Sequence, residues 1–345
     1  MNLPSLFIPV FYTLLQLLFL MALGFYLARY RGWDRQFFKP LSRFIVKIAL
    51  PLYFFVRVSR TDIVDVKRGM LLPLVALILT LLGILISSLI FSFIKIPKTD
   101  KRAAIGLSSF GNSGYIPITL IEIFPLTLPL VTELFNVQVS ILYVGTYLLA
   151  QSPLLWSVGN FLVSGSGERI KPRDFISAPL LGILAGLLVV VFNIQGPLFN
   201  PRLPFLHIYR ALERLSQVTL PMIMLSLGSM IANLSHFEGK SLSKKGRELA
   251  RTALTISGIR FVIFPAIFLI AYFTFLRQYM RDPVMLWVIF LEMHIPPATN
   301  LSVMAQQAGV NEDSVSFSLL FTYLAYLILL PLYLMVFLNL PGILG

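Results

Sequence analysis

The chain reads as an all-α polytopic membrane protein, ten transmembrane helices in a 5+5 inverted repeat with the fourth and ninth helices broken. Three observations predict this. Of the 345 residues, 57% are hydrophobic and only 12% charged, with a mean hydropathy of +0.84. A soluble domain carries about 25% charged residues, so this chain lacks the side chains to cover a water-facing surface. Apolar stretches of about 20 residues, the length that crosses a bilayer, recur ten times along it. Two of these stretches, at matching places in the two halves, carry proline beside small and polar residues near their middles.

The spans fall at 6–30, 36–58, 69–95, 103–125, 134–162, 175–195, 208–233, 248–276, 283–309 and 313–340. The segment Met1-Asn-Leu-Pro-Ser has no basic n-region and no small-residue cleavage motif, so span 1 is expected to be retained and not removed as a signal. Span 2 contains Leu50-Pro51 and span 7 contains Leu220-Pro221. Span 5 contains Thr146-Tyr147-Leu148 and span 10 contains Thr322-Tyr323-Leu324. Spans 4 and 9 are the broken ones. These echoes come in the same order and at similar offsets, which divides the chain into a five-helix repeat over 1–162, a short cytoplasmic link over 163–174 and a second repeat over 175–345. Five is odd, so the second repeat enters the membrane from the opposite face and the repeat is inverted.

Basic residues orient the spans. Loops after spans 1, 3, 5 and 7, with the adjoining span ends, hold sixteen Lys and Arg against nine on the other side. The excess places those loops in the cytoplasm and both termini outside, for a multi-pass protein of the inner or plasma membrane. The net charge of +13 is accounted for by these loops, without a nucleic-acid partner. There is no cysteine, hence no disulfide, thiolate nucleophile or Cys-ligated metal, and the three histidines form no metal-spacing motif. Paired carboxylates and an HExxH motif are also missing, so the chain is not expected to be an enzyme.

The breaks are the candidate site. Pro117 lacks the N–H that would bond the Ser113 carbonyl, and Gly111 and Gly114 weaken the same turn. Pro296 and Pro297 free the carbonyls of Glu292 and Met293. Freed backbone at membrane depth is tolerated only where it is buried in protein or lines a wet cavity. Half-helices that start after a break present bare N–H groups and positive dipole ends, which favour an anion; freed carbonyls suit a cation. Asn112 and Asn300 flank the breaks, either binding a substrate carboxylate or coupling ion or capping the half-helices. Ser113, Tyr115, Thr299 and Ser302 are further candidates, since hydroxyls in membrane helices also bond their own backbone. Charged groups inside spans mark functional positions: Lys47, Glu292 and His294 are candidates for countercharge or for coupling to Na⁺ or H⁺. Glu122 and Arg260 are expected to be structural pairs. The pattern implies a secondary transporter; a channel or a ligand-sensing membrane module is the competing class.

Phe110-Gly111-Asn112-Ser113-Gly114-Tyr115-Ile116-Pro117 and Pro296-Pro297-Ala298-Thr299-Asn300 resemble the crossover motifs of the auxin efflux carrier family, which includes plant PIN-type carriers and prokaryotic permeases. The run from Leu220 to Gly228 is similar to that family too, and the resemblance covers essentially the whole chain. It implies the fold shared with bile-acid sodium symporters. Spans 1, 2, 6 and 7 would form a scaffold, often dimeric. Spans 3–5 and 8–10 would form a mobile transport domain, with spans 4 and 9 crossing at the prolines. The resemblance further implies elevator-type movement of small organic anions such as carboxylates, with Asn112, Pro117, Pro296, Pro297 and Asn300 at the crossover positions. The short central link fits a prokaryotic-type member.

Overall fold

A bilayer core offers no hydrogen-bond partner to a bare N–H or C=O, so apolar runs of this length have to fold as helices. The computed structural model describes residues 3–33, 35–127, 135–165, 176–234 and 244–343, and it is all-helical apart from connecting turns. Among these residues there is no strand, only one isolated antiparallel bridge between Gly111 and Pro297. Most of the link at 163–174 lies outside the described residues.

In chain order, α1 spans Leu3–Tyr30 and α2 spans Arg35–Phe44, which runs through a π-helical turn at Ile45–Ala49 into α3 (Leu50–Val58). Next come α4 (Ile63–Gly69) and α5 (Leu72–Ser92). The first break separates α6 (Lys98–Ser109) from α7 (Ile116–Thr127). The α8 helix (Val137–Leu154) passes through a second π turn, Leu155–Gly159, into α9 (Asn160–Ser164). The second half holds α10 (Ala178–Val191), α11 (Gln195–Phe199), α12 (Pro204–Gln217) and α13 (Thr219–Leu234). A long helix follows as α14 (Lys244–Gly258), a π turn at Ile259–Ile263, α15 (Phe264–Ala271), another π turn at Tyr272–Leu276 and α16 (Arg277–Tyr279). The second break separates α17 (Pro283–His294) from α18 (Asn300–Ala308), and α19 (Glu312–Leu338) closes the chain. Five helical stretches are long and apolar enough to cross a membrane, and shorter apolar helices accompany them.

Proline explains much of the segmentation. Three π turns lie two residues from a proline: Pro51 after the first, Pro153 before the second and Pro265 after the third. A proline ring collides with the carbonyl four residues back; for Pro51 and Pro265 that carbonyl, of Lys47 and of Phe261, lies in the widened turn, which relieves the clash. Pro221 sits in the opening turn of α13, where a missing N–H costs nothing.

The surface pattern of α5 is the reverse of a soluble helix. Ala76, Thr80, Gly83 and Ser87 are buried, while Leu74, Leu77, Ile78, Leu81, Leu85 and Leu89 face outward. Lipid is as apolar as leucine, so large side chains gain nothing by turning inward, and small residues that allow close approach occupy the helix contacts. Glycine takes this furthest where α1 packs on α13 and α10 packs on α3. A Cβ on Gly228 would stand 1.8 Å from the Met21 carbonyl oxygen, and one on Gly24 would stand 2.1 Å from that of Leu225. On the other side, a Cβ on Gly182 would lie 2.1 Å from the Pro51 carbonyl oxygen, and one on Gly186 would meet Val58 at 2.7 Å. Gly182 and Gly186 form the G-x-x-x-G spacing of close helix pairs.

Backbone touching backbone leaves no side chain to yield. Gly228→Ala and Gly182→Ala are therefore each expected to lower stability by about 1–3 kcal/mol. Gly258→Ala, in a helix with open space around the new methyl, is expected to be neutral or to stabilise by roughly 0.5–1 kcal/mol. Thermal unfolding in detergent checks this; equal midpoints for all three variants would refute the close-contact account.

Candidate functional site

Each break hands its unsatisfied backbone to the other. Phe110 and Ile295 leave their helices in extended conformation, and the two strands of chain then run antiparallel. The Asn112 N–H donates to the Pro296 carbonyl at 2.9 Å, and the Ala298 N–H donates to the Phe110 carbonyl at 2.9 Å. Gln151 of α8 donates from Nε2 to the Gly111 carbonyl at 3.3 Å. Tyr323 of α19 takes a hydrogen bond from Asn112 Nδ2 at 2.5 Å and donates to the Pro297 carbonyl at 3.3 Å. Carbonyls at 110, 111, 296 and 297 are thus occupied by protein donors.

Two half-helices start just past this bridge. Pro117 is the second residue of α7, where its missing N–H is harmless, and Thr299 precedes α18 without a side-chain cap. The N–H groups of these first turns are largely taken, Ile116 donating to the Asn112 carbonyl, Leu301 to that of Ala298 and Ser302 to that of Thr299. What remains is the positive dipole end of each helix, and the segments leading into them border one narrow cavity of about 60 Å³. Gly111 to Tyr115, Ala298 and Asn300 line it from the breaks; Leu148, Gln151 and Trp156 line it from the α8 side; Leu50, Phe54, Leu180 and Ile183 line it from α3 and α10. Drug-sized ligands occupy roughly 300–1,000 Å³, so the cavity as described is closed and has to widen to admit an organic molecule.

The structure gathers some of the sequence candidates here and sends others elsewhere. Asn112, Ser113, Tyr115 and Asn300 line the cavity. Asn112 is held by Tyr323, whereas no hydrogen-bond partner meets the Asn300 amide among the described residues. Pro117, Pro296 and Pro297 are buried structural elements of the breaks. Thr299 is buried, and Ser302 is tied to its own helix by a 2.9 Å bond to the Thr299 carbonyl. Lys47 stands exposed on the first π turn and does not line the cavity. His294 bonds the Phe290 carbonyl through Nδ1 at 2.6 Å and packs among Phe290, Tyr333 and Phe268. It caps an aromatic column that continues through Phe337 to Trp287 and Phe124. Glu292 is buried, and neither carboxylate oxygen has a hydrogen-bond partner.

Glu122 pairs as expected, with Arg57, and also accepts a 2.6 Å bond from the Tyr53 hydroxyl. Arg260 does not. Its Nε and Nη2 are buried without hydrogen-bond partners, and its guanidinium lies over the Phe264 ring at 5.5 Å. Gln151 and Tyr323 are the contributors that sequence reasoning missed. Gln151 is an amide inside an apolar span two residues before Pro153, a signal of the kind that flags polar residues at membrane depth. Tyr323 was visible only as part of a repeat echo.

Comparison with known proteins points to membrane transport. A family model described as "Membrane transport protein" matches residues 9–176 and 172–334. An "Uncharacterized transporter" of Methanothermobacter thermautotrophicus is 25% identical over 325 residues, covering 93% of this chain and 96% of that protein. A Rhizobium meliloti protein named "Putative malonate transporter" is 25% identical over 323 residues, covering 88% of each chain. Family and relatives are transporters by name and not enzymes, and the long apolar helices fit an integral, multi-pass membrane protein. With the family model spanning nearly its whole length, the chain belongs to this membrane transport protein family, that of the auxin efflux carriers.

Proposed function

We propose that the protein is a secondary transporter of small organic anions, carboxylates foremost, with its binding site where the two broken helices meet. The observation that carries this reading is the convergence of two half-helix N-termini and two asparagines on one cavity. Such a site attracts a negative group through helix dipole ends and amide side chains without needing a basic side chain. A dicarboxylate would meet one N-terminus with each end, which accords with the name of the Rhizobium relative.

The same reading takes the chain as ten spans in two inverted repeats of five, with the broken helices crossing. Support comes from packing that repeats between the halves. The α1–α13 contact mirrors α10–α3, and α5–α8 mirrors α14–α19. Helices 1, 2, 6 and 7 of that scheme would be the fixed scaffold, dimeric in the membrane, and the remainder an elevator-type moving part. The cavity draws its lining from both groups, so a shift of one against the other would open it to alternate sides. Both termini would lie outside, in the inner or plasma membrane. Asn112, Ser113, Tyr115 and Asn300 would contact the anion.

Substrate-induced current from proteoliposomes on a solid-supported membrane tests this, with a panel of mono- and dicarboxylates. Saturable current is expected for at least one anion. Asn112→Ala and Asn300→Ala should each lower transport efficiency by about 10- to 100-fold, the loss of a hydrogen bond to a charged group. Tyr323→Phe, which releases Asn112 without touching the anion, is expected to cost about 3- to 10-fold, a neutral bond's worth. Linear, unsaturable conductance would favour a channel, and unchanged flux in both asparagine variants would remove the bridge from the binding site.

A further inference from the structure

Beside the bridge lie two charged groups that do not line the cavity and that the proposed site does not use. Arg260 is 2% exposed and Glu292 is 3% exposed. Neither Nε nor Nη2 of the arginine has a hydrogen-bond partner, and neither oxygen of the glutamate has one. They sit within electrostatic reach of each other but do not touch. Ser113, at the first break, lies near the Glu292 carboxylate without meeting hydrogen-bond geometry. Tyr147 and Tyr323, the two tyrosines of the repeat echo, are also within electrostatic reach of the guanidinium.

The position of Arg260 is specific. Its Nη2 occupies the space beside Gly111 so closely that a Cβ there would stand 2.2 Å away. The guanidinium therefore fills the place where residue 111 would otherwise carry a side chain, against the bridge itself. An uncompensated charge at this depth is costly, and each of these two groups acts electrostatically on the other. Removing one partner of such a pair leaves the other stranded.

We propose that Arg260 is a tethered cation: it supplies at the helix breaks the positive charge that a bound monovalent ion would otherwise supply, so the site is charge-balanced with no inorganic cation present. An arginine remains charged in proteins and cannot dissociate, so the balance is permanent. The protein then needs no Na⁺ to assemble its breaks. If the carrier reading holds, anion transport is likewise independent of Na⁺. This corollary alone rests on that reading.

The test is thermal unfolding of the purified, detergent-solubilised protein in sodium chloride and in choline chloride at equal ionic strength. The wild type should unfold at the same midpoint in both. Arg260→Ala, which opens a space lined by Glu292 and the bridge, should unfold lower in choline and gain about 2 °C or more from sodium. Arg260→Lys should stay insensitive to sodium. Arg260→Ala with Glu292→Gln should lose the sodium response. A sodium-specific rise in the wild type would overturn the proposal, as would an Arg260→Ala midpoint equal in the two salts. If Arg260→Ala does not fold, a folded, salt-insensitive double variant supports the charge role, and failure of both variants counts against it. Proteoliposome currents separate the two readings. The salt pattern without any anion current would sink the carrier, and a current that requires Na⁺ would sink the tethered cation.

Discussion

Two backbone hydrogen bonds, Asn112 to Pro296 and Phe110 to Ala298, carry a disproportionate share of this architecture. Interrupting a helix inside a membrane leaves several N–H and C=O groups without partners, each costing several kcal/mol in hydrocarbon. One interrupted helix could not be sustained alone. Two interruptions that meet edge to edge satisfy each other, and the residue types around them follow from that. Glycine at 111 leaves room for the close approach, and the prolines fall where no N–H is wanted. Tyr323 and Gln151 reach in to occupy the carbonyls that the pairing leaves over.

That closure separates two chemistries. The cavity is bordered by the asparagine amides and by the segments leading into α7 and α18. The buried charges of Arg260 and Glu292 do not line it, yet the guanidinium stands against Gly111 of the same short stretch of backbone. An anion in the cavity and the charge balance beside it are therefore electrostatically linked across a low-dielectric layer, where such effects are large.

Composition and the two proline-broken runs made the helical, membrane-embedded class plain, because hydrophobic length and local breakers act within a few residues of each other. The positions of the breaks were legible for the same reason: Phe110 and Ile295 leave their helices just ahead of the Gly-Asn and Pro-Pro motifs. Side-chain partners were not. Lys47 stood out because a charge in an apolar run is conspicuous, yet the π turn that carries it turns it outward. Arg260 was expected to find a partner and instead packs against a glycine and a phenylalanine ring. Which face of a helix points inward depends on the neighbour it packs against, and in a membrane large apolar and small polar residues give no simple inward rule, as α5 shows.

The pairing of the breaks also bears on how the chain comes to be made. Gly111 belongs to the first third of the sequence and Pro297 to the last, so the earlier break is synthesised long before its partner exists. Until then the Asn112 N–H and the Phe110 carbonyl lack the partners they have in the finished fold and can be satisfied only by water or by the insertion machinery. The first half therefore cannot reach its final burial in lipid on its own. Synthesis of the second half, and α17 in particular, becomes the step that commits the whole chain to the membrane, a late and long-range contact of the kind that sets the pace of assembly.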